Sequence, residues 1–76
     1  MTTFTPEQIA ALEVAASADE STIKIWKGSN VTRAYVSRAG EQIGYIEIKN
    51  NGEITSSHKS GANLRKNIIA RIREAV

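Results

Sequence analysis

One histidine, His58, one aspartate, Asp19, and no cysteine are all that the 76-residue chain brings to nucleophilic or acid–base chemistry beyond its glutamates and hydroxyls. Such chemistry needs a nucleophile and a base within hydrogen-bond reach of each other. His58 and Asp19 stand in separate polar stretches whose neighbours build no Ser-His-Asp arrangement. No HxxxH, HExxH or acid-rich loop offers metal ligands, and without a thiolate neither a cysteine nucleophile nor a cysteine metal site exists. Glu41, Glu47 and Glu53 recur across the strand region but face Arg33 or Lys49, the signature of ion pairs. The expectation is a non-enzymatic chain with no cofactor, no metal and no small-molecule substrate.

The chemistry the residues do support is adhesion. Lys24 and Trp26, Arg33 and Tyr35, and Tyr45 and Lys49 place rings and cations at even spacings, so each pair shares one side of an extended strand. Rings beside cations can stack on bases while Lys24, Arg33 and Lys49 meet phosphates, at about 1–3 kcal/mol per stacked base. The same residue types dominate protein interfaces, where Trp, Tyr and Arg form the energetic centre. Nucleic acid is narrowly favoured; a protein partner or inhibitory target, or a second copy of the chain, is the alternative through the same face. A blander reading makes these residues ordinary cross-strand pairs, each supporting the sheet by about 0.2–1 kcal/mol. Glu47 in the middle of the set counts against a phosphate-tracking groove.

A second candidate precedes the last helix. Ser56-Ser57-His58-Lys59-Ser60-Gly61 carries hydroxyls and a lysine into a helix start, where unpaired backbone N–H groups attract anions. Lys59, Ser60 and Gly61 are candidate phosphate contacts, with Lys66 and Arg73 on the outer face of the helix that follows. The segment is not a Walker loop, because the first glycine is missing and the lysine precedes the glycine. Its plainer reading is a capped, solvated connection, and the plainer reading of the basic helix face is a solvated one.

The elements that hold these residues have local signals of their own. Thr5, Pro6 and Gln8 form a capping box with proline at the first helical position, and Phe4 stands at staple distance from Ile9. Ile9, Leu12 and Ala16 continue at helical spacing, so a helix is expected over 6–17. The period then changes to two, and strands are expected over 22–27, 32–38, 42–49 and 53–57. A final helix over 61–75, capped by Ser60, carries Leu64, Ile68, Ile72, Ala75 and Val76 as its core stripe, with Ile69 on the flank. Arg65 falls near that stripe and should reach outward along its aliphatic stem.

Register follows from keeping apolar residues on one face. A two-residue Ser29-Asn30 loop sets Ile25 opposite Ala34 and Ile23 opposite Val36. Gly52, in the left-handed place of a three-residue Asn50-Asn51-Gly52 loop, sets Ile48 opposite Ile54. For the middle turn a three-residue Ala39-Gly40-Glu41 loop is chosen over a two-residue Ala39-Gly40 loop, because the shorter one would flip the third strand and the longer one buries Ile46 and Ile48 together. The buried face is then Ile23, Ile25, Ala34, Val36, Ile46, Ile48 and Ile54. The open face holds Lys24, Trp26, Arg33, Tyr35, Ile43, Tyr45, Glu47, Lys49, Glu53 and Thr55. The predicted fold is α+β: a two-layer sandwich whose four-stranded antiparallel meander carries an N-terminal and a C-terminal helix on one face.

Length and charge bound the rest. The 76 residues allow one domain with one core, burying roughly 60% of the unfolded surface. No apolar run approaches the roughly 18 residues of a membrane span, and residues 1–20 lack a basic leader, so neither anchor nor signal peptide is expected. Cysteine-free composition fits a cytoplasmic setting. Residues 1–20 hold four acids and no base, a charge of −4, while residues 21–76 hold ten bases and four acids, a charge of +6. That asymmetry is the reason nucleic acid leads among the partners.

Overall fold

Helix formation begins where the capping signals place it. The Gln8 amide donates to Thr5 Oγ1 at 3.1 Å, and the Thr5 amide donates back to Gln8 Oε1 at 2.8 Å. These two bonds satisfy N–H groups that a helix start leaves orphaned. Phe4 is buried and Ile9 packs against the same core, as the staple spacing predicts. The computed structural model describes residues 3–59 and 63–76, without the side chains of Asn63 and Leu64.

The elements are α1 (Pro6–Ala18), β1 (Ser21–Lys27), β2 (Val31–Arg38), β3 (Glu41–Lys49), β4 (Ile54–His58) and α2 (Asn63–Arg73). The strands form one antiparallel sheet in the order β1-β2-β3-β4. Both helices pack on one face, α1 on β1 and α2 on β3 and β4, and touch each other. Leu12 and Ala16 of α1, Ile68, Ile69 and Ile72 of α2, and Ala34, Val36, Ile46 and Ile48 of the sheet enclose the core. Ile23, Ile25 and Ile54 close it at the margins. Among the described residues no helix is long and apolar enough to cross a membrane.

The outer hairpins have the expected registers. Gly28 donates to the Val31 carbonyl at 2.8 Å across Ser29-Asn30, and Ile23 pairs with Val36 and Ile25 with Ala34. Gly52 takes φ +86°, and its amide bonds the Lys49 carbonyl at 2.9 Å, which sets Ile48 against Ile54.

The middle hairpin corrects the sequence reading. Arg38 pairs with Glu41, so the loop is the two residues Ala39-Gly40 and not Ala39-Gly40-Glu41. Both loop residues have positive φ, +54° and +78°, as the tight turn that matches strand twist requires. The register shifts at Val36/Ser37: Ser37 pairs with Gln42 while Val36 pairs with Gly44, so Ile43 is the extra residue of a β-bulge. The bulge restores the alternation that the short loop alone would invert, and Ile46 and Ile48 face the core. It also overturns the placement of Ile43 on the open face. Ile43 and Gly44 are consecutive and both buried, with Ile43 in the core cluster.

Two expectations for α2 change as well. Ile69, assigned to the flank, is fully enclosed because Gly44 lets it approach: a Cβ built on Gly44 would lie 2.9 Å from Ile69 Cδ1. Ala75 lies beyond the last helical residue and is exposed, so it does not belong to the core stripe. Leu64 of that stripe has no described side chain, and the Ser60 cap and Gly61 lie outside the described residues.

Candidate functional site

The register of the sheet lays the open-face residues in rows. One row runs Trp26–Arg33–Glu47–Thr55, and the next Lys24–Tyr35–Tyr45–Ser57. Trp26, Arg33, Tyr35, Tyr45, Lys24 and Lys49 therefore share the helix-free face, as the alternation predicts. Thr22 and Ser37 continue the face beyond Lys24 and Tyr35.

Arg33 is its hub. Arg33 Nε donates to Glu47 Oε1 at 2.8 Å, and Nη1 donates to the Tyr35 hydroxyl at 3.1 Å. Its guanidinium stands 4.5 Å from the Tyr45 ring centre and 6.0 Å from that of Trp26. Tyr35 and Tyr45 meet edge to face with centroids 5.7 Å apart. The hydrogen bond to Tyr35, and next the one to Glu47, hold the Arg33 guanidinium above its already high range. The arginine thus occupies its own aromatic surround, with its charge met by a carboxylate that is 9% exposed as a residue. Cation–π contact, ion pair and hydroxyl bond fix one geometry for all four side chains.

Trp26 is the exposed element of this cluster. It is 48% accessible, one of two large apolar side chains so placed among the described residues, the other being Val14 on α1. Its indole rests on the backbone of Gly28, where an added Cβ would stand 2.6 Å from Cη2 and 2.7 Å from Cζ3. Gly28 has no part in the sequence expectations. The Trp-x-Gly spacing was the available signal, since a ring lying along a strand covers its neighbour two places on.

The basic excess is distributed differently from what linear charge implies. All five arginines are engaged within the chain. Arg71 grips Asp19 through two bonds of 2.7 and 3.1 Å, which raise the Arg71 pKa further, and Arg38 reaches Glu20 at 3.8 Å. Arg65 meets Glu41 at 2.7 Å, the outward reach expected of it. Arg73, expected on an outer phosphate-binding face, instead donates to the Ile54 carbonyl at 3.0 Å. Lys49 pairs with Glu53 at 3.6 Å. Lys24, Lys27, Lys59 and Lys66 are exposed and form no ion pair among the described residues.

Of the second candidate, Lys59, Lys66 and Arg73 fall among the described residues. Lys59 continues the strand ladder, its amide donating to the Ile43 carbonyl at 3.0 Å, while Lys66 lies on the exposed side of α2. Ser60 and Gly61, on which an anion cradle depended, are not described. Among the described residues no three His, Asp or Glu converge as metal ligands. No protein family, curated protein or solved structure matches the chain.

Proposed function

We propose that the chain is a non-enzymatic binding module that recognises a protein partner through its open sheet face, with Trp26 as the anchor and Tyr35, Tyr45 and Arg33 as its support. The carrying observation is that Arg33 is already neutralised and ordered by Glu47, Tyr35 and Tyr45 beside a half-exposed tryptophan. A preformed cluster loses little side-chain freedom on binding, which favours affinity. Tryptophan, tyrosine and arginine grouped around one centre are the composition of interface hot spots. A phosphate backbone, by contrast, calls for cations free to release counterions. Five of the ten bases of residues 21–76 are arginines, and those are held by internal partners.

Nucleic acid is the second reading, favoured by one specific feature: Lys24 and Lys27, both exposed, flank Trp26 along β1. Immobilised protein, challenged with source-cell extract before and after nuclease treatment, separates the two. The protein reading expects nuclease-resistant capture that Trp26→Ala abolishes and Val14→Ser, on the helical layer, leaves intact. Capture lost after nuclease, together with a salt-sensitive change in Trp26 emission on adding oligonucleotide, establishes the second reading instead. Capture unaffected by Trp26→Ala overturns the assignment of the face.

A further inference from the structure

We infer that the outer edge of β1 accepts an extended acidic peptide segment as a fifth strand, and that this segment carries the partner's main contact. The inference rests on the protein-binding reading and specifies the chemistry of the partner.

The two sheet edges differ. At β4, five residues long, Arg73 of α2 occupies one outward carbonyl, that of Ile54, at 3.0 Å. At β1, seven residues long, the direction of the backbone groups follows from the ladder. The Gly28 amide bonds the Val31 carbonyl, and in an antiparallel pair bonded positions alternate. Counting back by twos, Trp26, Lys24 and Thr22 direct their N–H and C=O groups to β2. Ile23, Ile25 and Lys27 direct theirs outward. Among the described residues no other group bonds them. A row of unpaired backbone groups is a template for another strand, and strand addition is a common mode of peptide recognition.

Charge selects the occupant. Strand β1 carries Lys24 and Lys27 and no acid. Two copies of this chain paired edge to edge would bring the lysines of both along one seam, the arrangement by which natural sheets resist self-pairing. The same lysines favour a strand bearing carboxylates. Trp26 lies with Lys24 on the open face, where its ring can cover side chains of an added strand, and Lys27 projects from the other side at the strand end. Toward the other end of β1, a shallow depression lined by Glu13, Ser17, Ser21, Thr22 and Ile23 borders the strand. With Glu13 at its wall, that end suits an uncharged residue, so the acids belong opposite Lys24 and Lys27.

The test uses the full chain and a blocked octapeptide of paired glutamates and paired valines, which sets carboxylates on both sides of an added strand, with its lysine–valine counterpart and a backbone N-methylated version as controls. The readouts are residue-resolved amide exchange and Trp26 emission. The acidic peptide is expected to slow exchange at Ile23, Ile25 and Lys27, while Thr22, Lys24 and Trp26, already bonded to β2, change little. It should bind about tenfold or more tightly than the lysine–valine peptide, and N-methylation should remove the protection. The K24E/K27E double variant, altered only at exposed positions, should reverse the preference. No binding of the acidic peptide at about 1 mM overturns the inference. So does binding without protection of the three outward amides, or binding without charge preference. Failure here beside Trp26-dependent capture removes strand addition alone, whereas capture indifferent to Trp26→Ala removes the parent reading.

Discussion

Arg33 and Glu47 should be energetically coupled, and the coupling can be measured with the variants Arg33→Met, Glu47→Gln and the double variant. Glu47→Gln keeps the side-chain shape and Arg33→Met keeps the unbranched stem, and both remove charge. A charge-assisted hydrogen bond contributes about 1.5–3 kcal/mol, and an exposed cation–π contact about 0.5–1 kcal/mol. The Arg33 side chain is 32% accessible and that of Glu47 12%, which places the pair between a surface and a buried one. Solvent screening at Arg33 lowers the gain, so the coupling expected from the cycle is about 1–2 kcal/mol. Arg33→Met alone, which leaves Glu47 without its counter-ion, should cost about 2 kcal/mol, or roughly 8–16 °C of melting temperature in a domain this size. Urea and thermal denaturation followed by far-ultraviolet circular dichroism give the four stabilities. A coupling below about 0.3 kcal/mol, the level of independent sites, would refute the claim that Arg33 is committed to its own face.

Three further substitutions probe the frame that holds the face. Gly44→Ala puts a methyl 3.0 Å from the His58 Cα, closer still to the Ser57 carbonyl, and 2.9 Å from Ile69 Cδ1. Two of those neighbours are backbone atoms, so the cost should be about 2–3 kcal/mol by urea denaturation, and a near-neutral result contradicts the close approach of α2 to β3. Ala39→Asn should raise stability by about 0.5–1 kcal/mol, because Ala39 holds φ +54° in a turn that favours Asn-Gly; a loss of stability argues against that turn. Thr5→Ala should cost about 1 kcal/mol by removing the side chain that accepts the Gln8 amide, and the same melts decide it.

Much of this architecture is written locally. The capping box at Thr5 and Gln8, the left-handed Gly52 and the two-residue Ser29-Asn30 connection each act within a few residues, and each forms as read. Together with alternation by twos they determine the element order, the outer registers and the side of the sheet on which Trp26, Tyr35 and Tyr45 stand. That is most of the fold and the membership of the candidate face.

What was not legible depends on residues distant in the chain. Whether Ile43 turns outward or joins the core is decided by a bulge, and its energy comes from apolar contact with the helical layer rather than from its own strand. Ile69 is enclosed because Gly44, 25 positions earlier, has no side chain to hold it off. The pairing of Arg71 with Asp19 spans 52 positions and joins the basic remainder of the chain to its acidic first segment. Arg73 reaches the Ile54 carbonyl at the sheet edge only once α2 lies beside β4. Periodicity assigns a residue to a face and turn chemistry assigns a local backbone, since both act over short stretches. Which charges cancel and how near two elements come are settled when the layers meet, because those energies depend on distance in space.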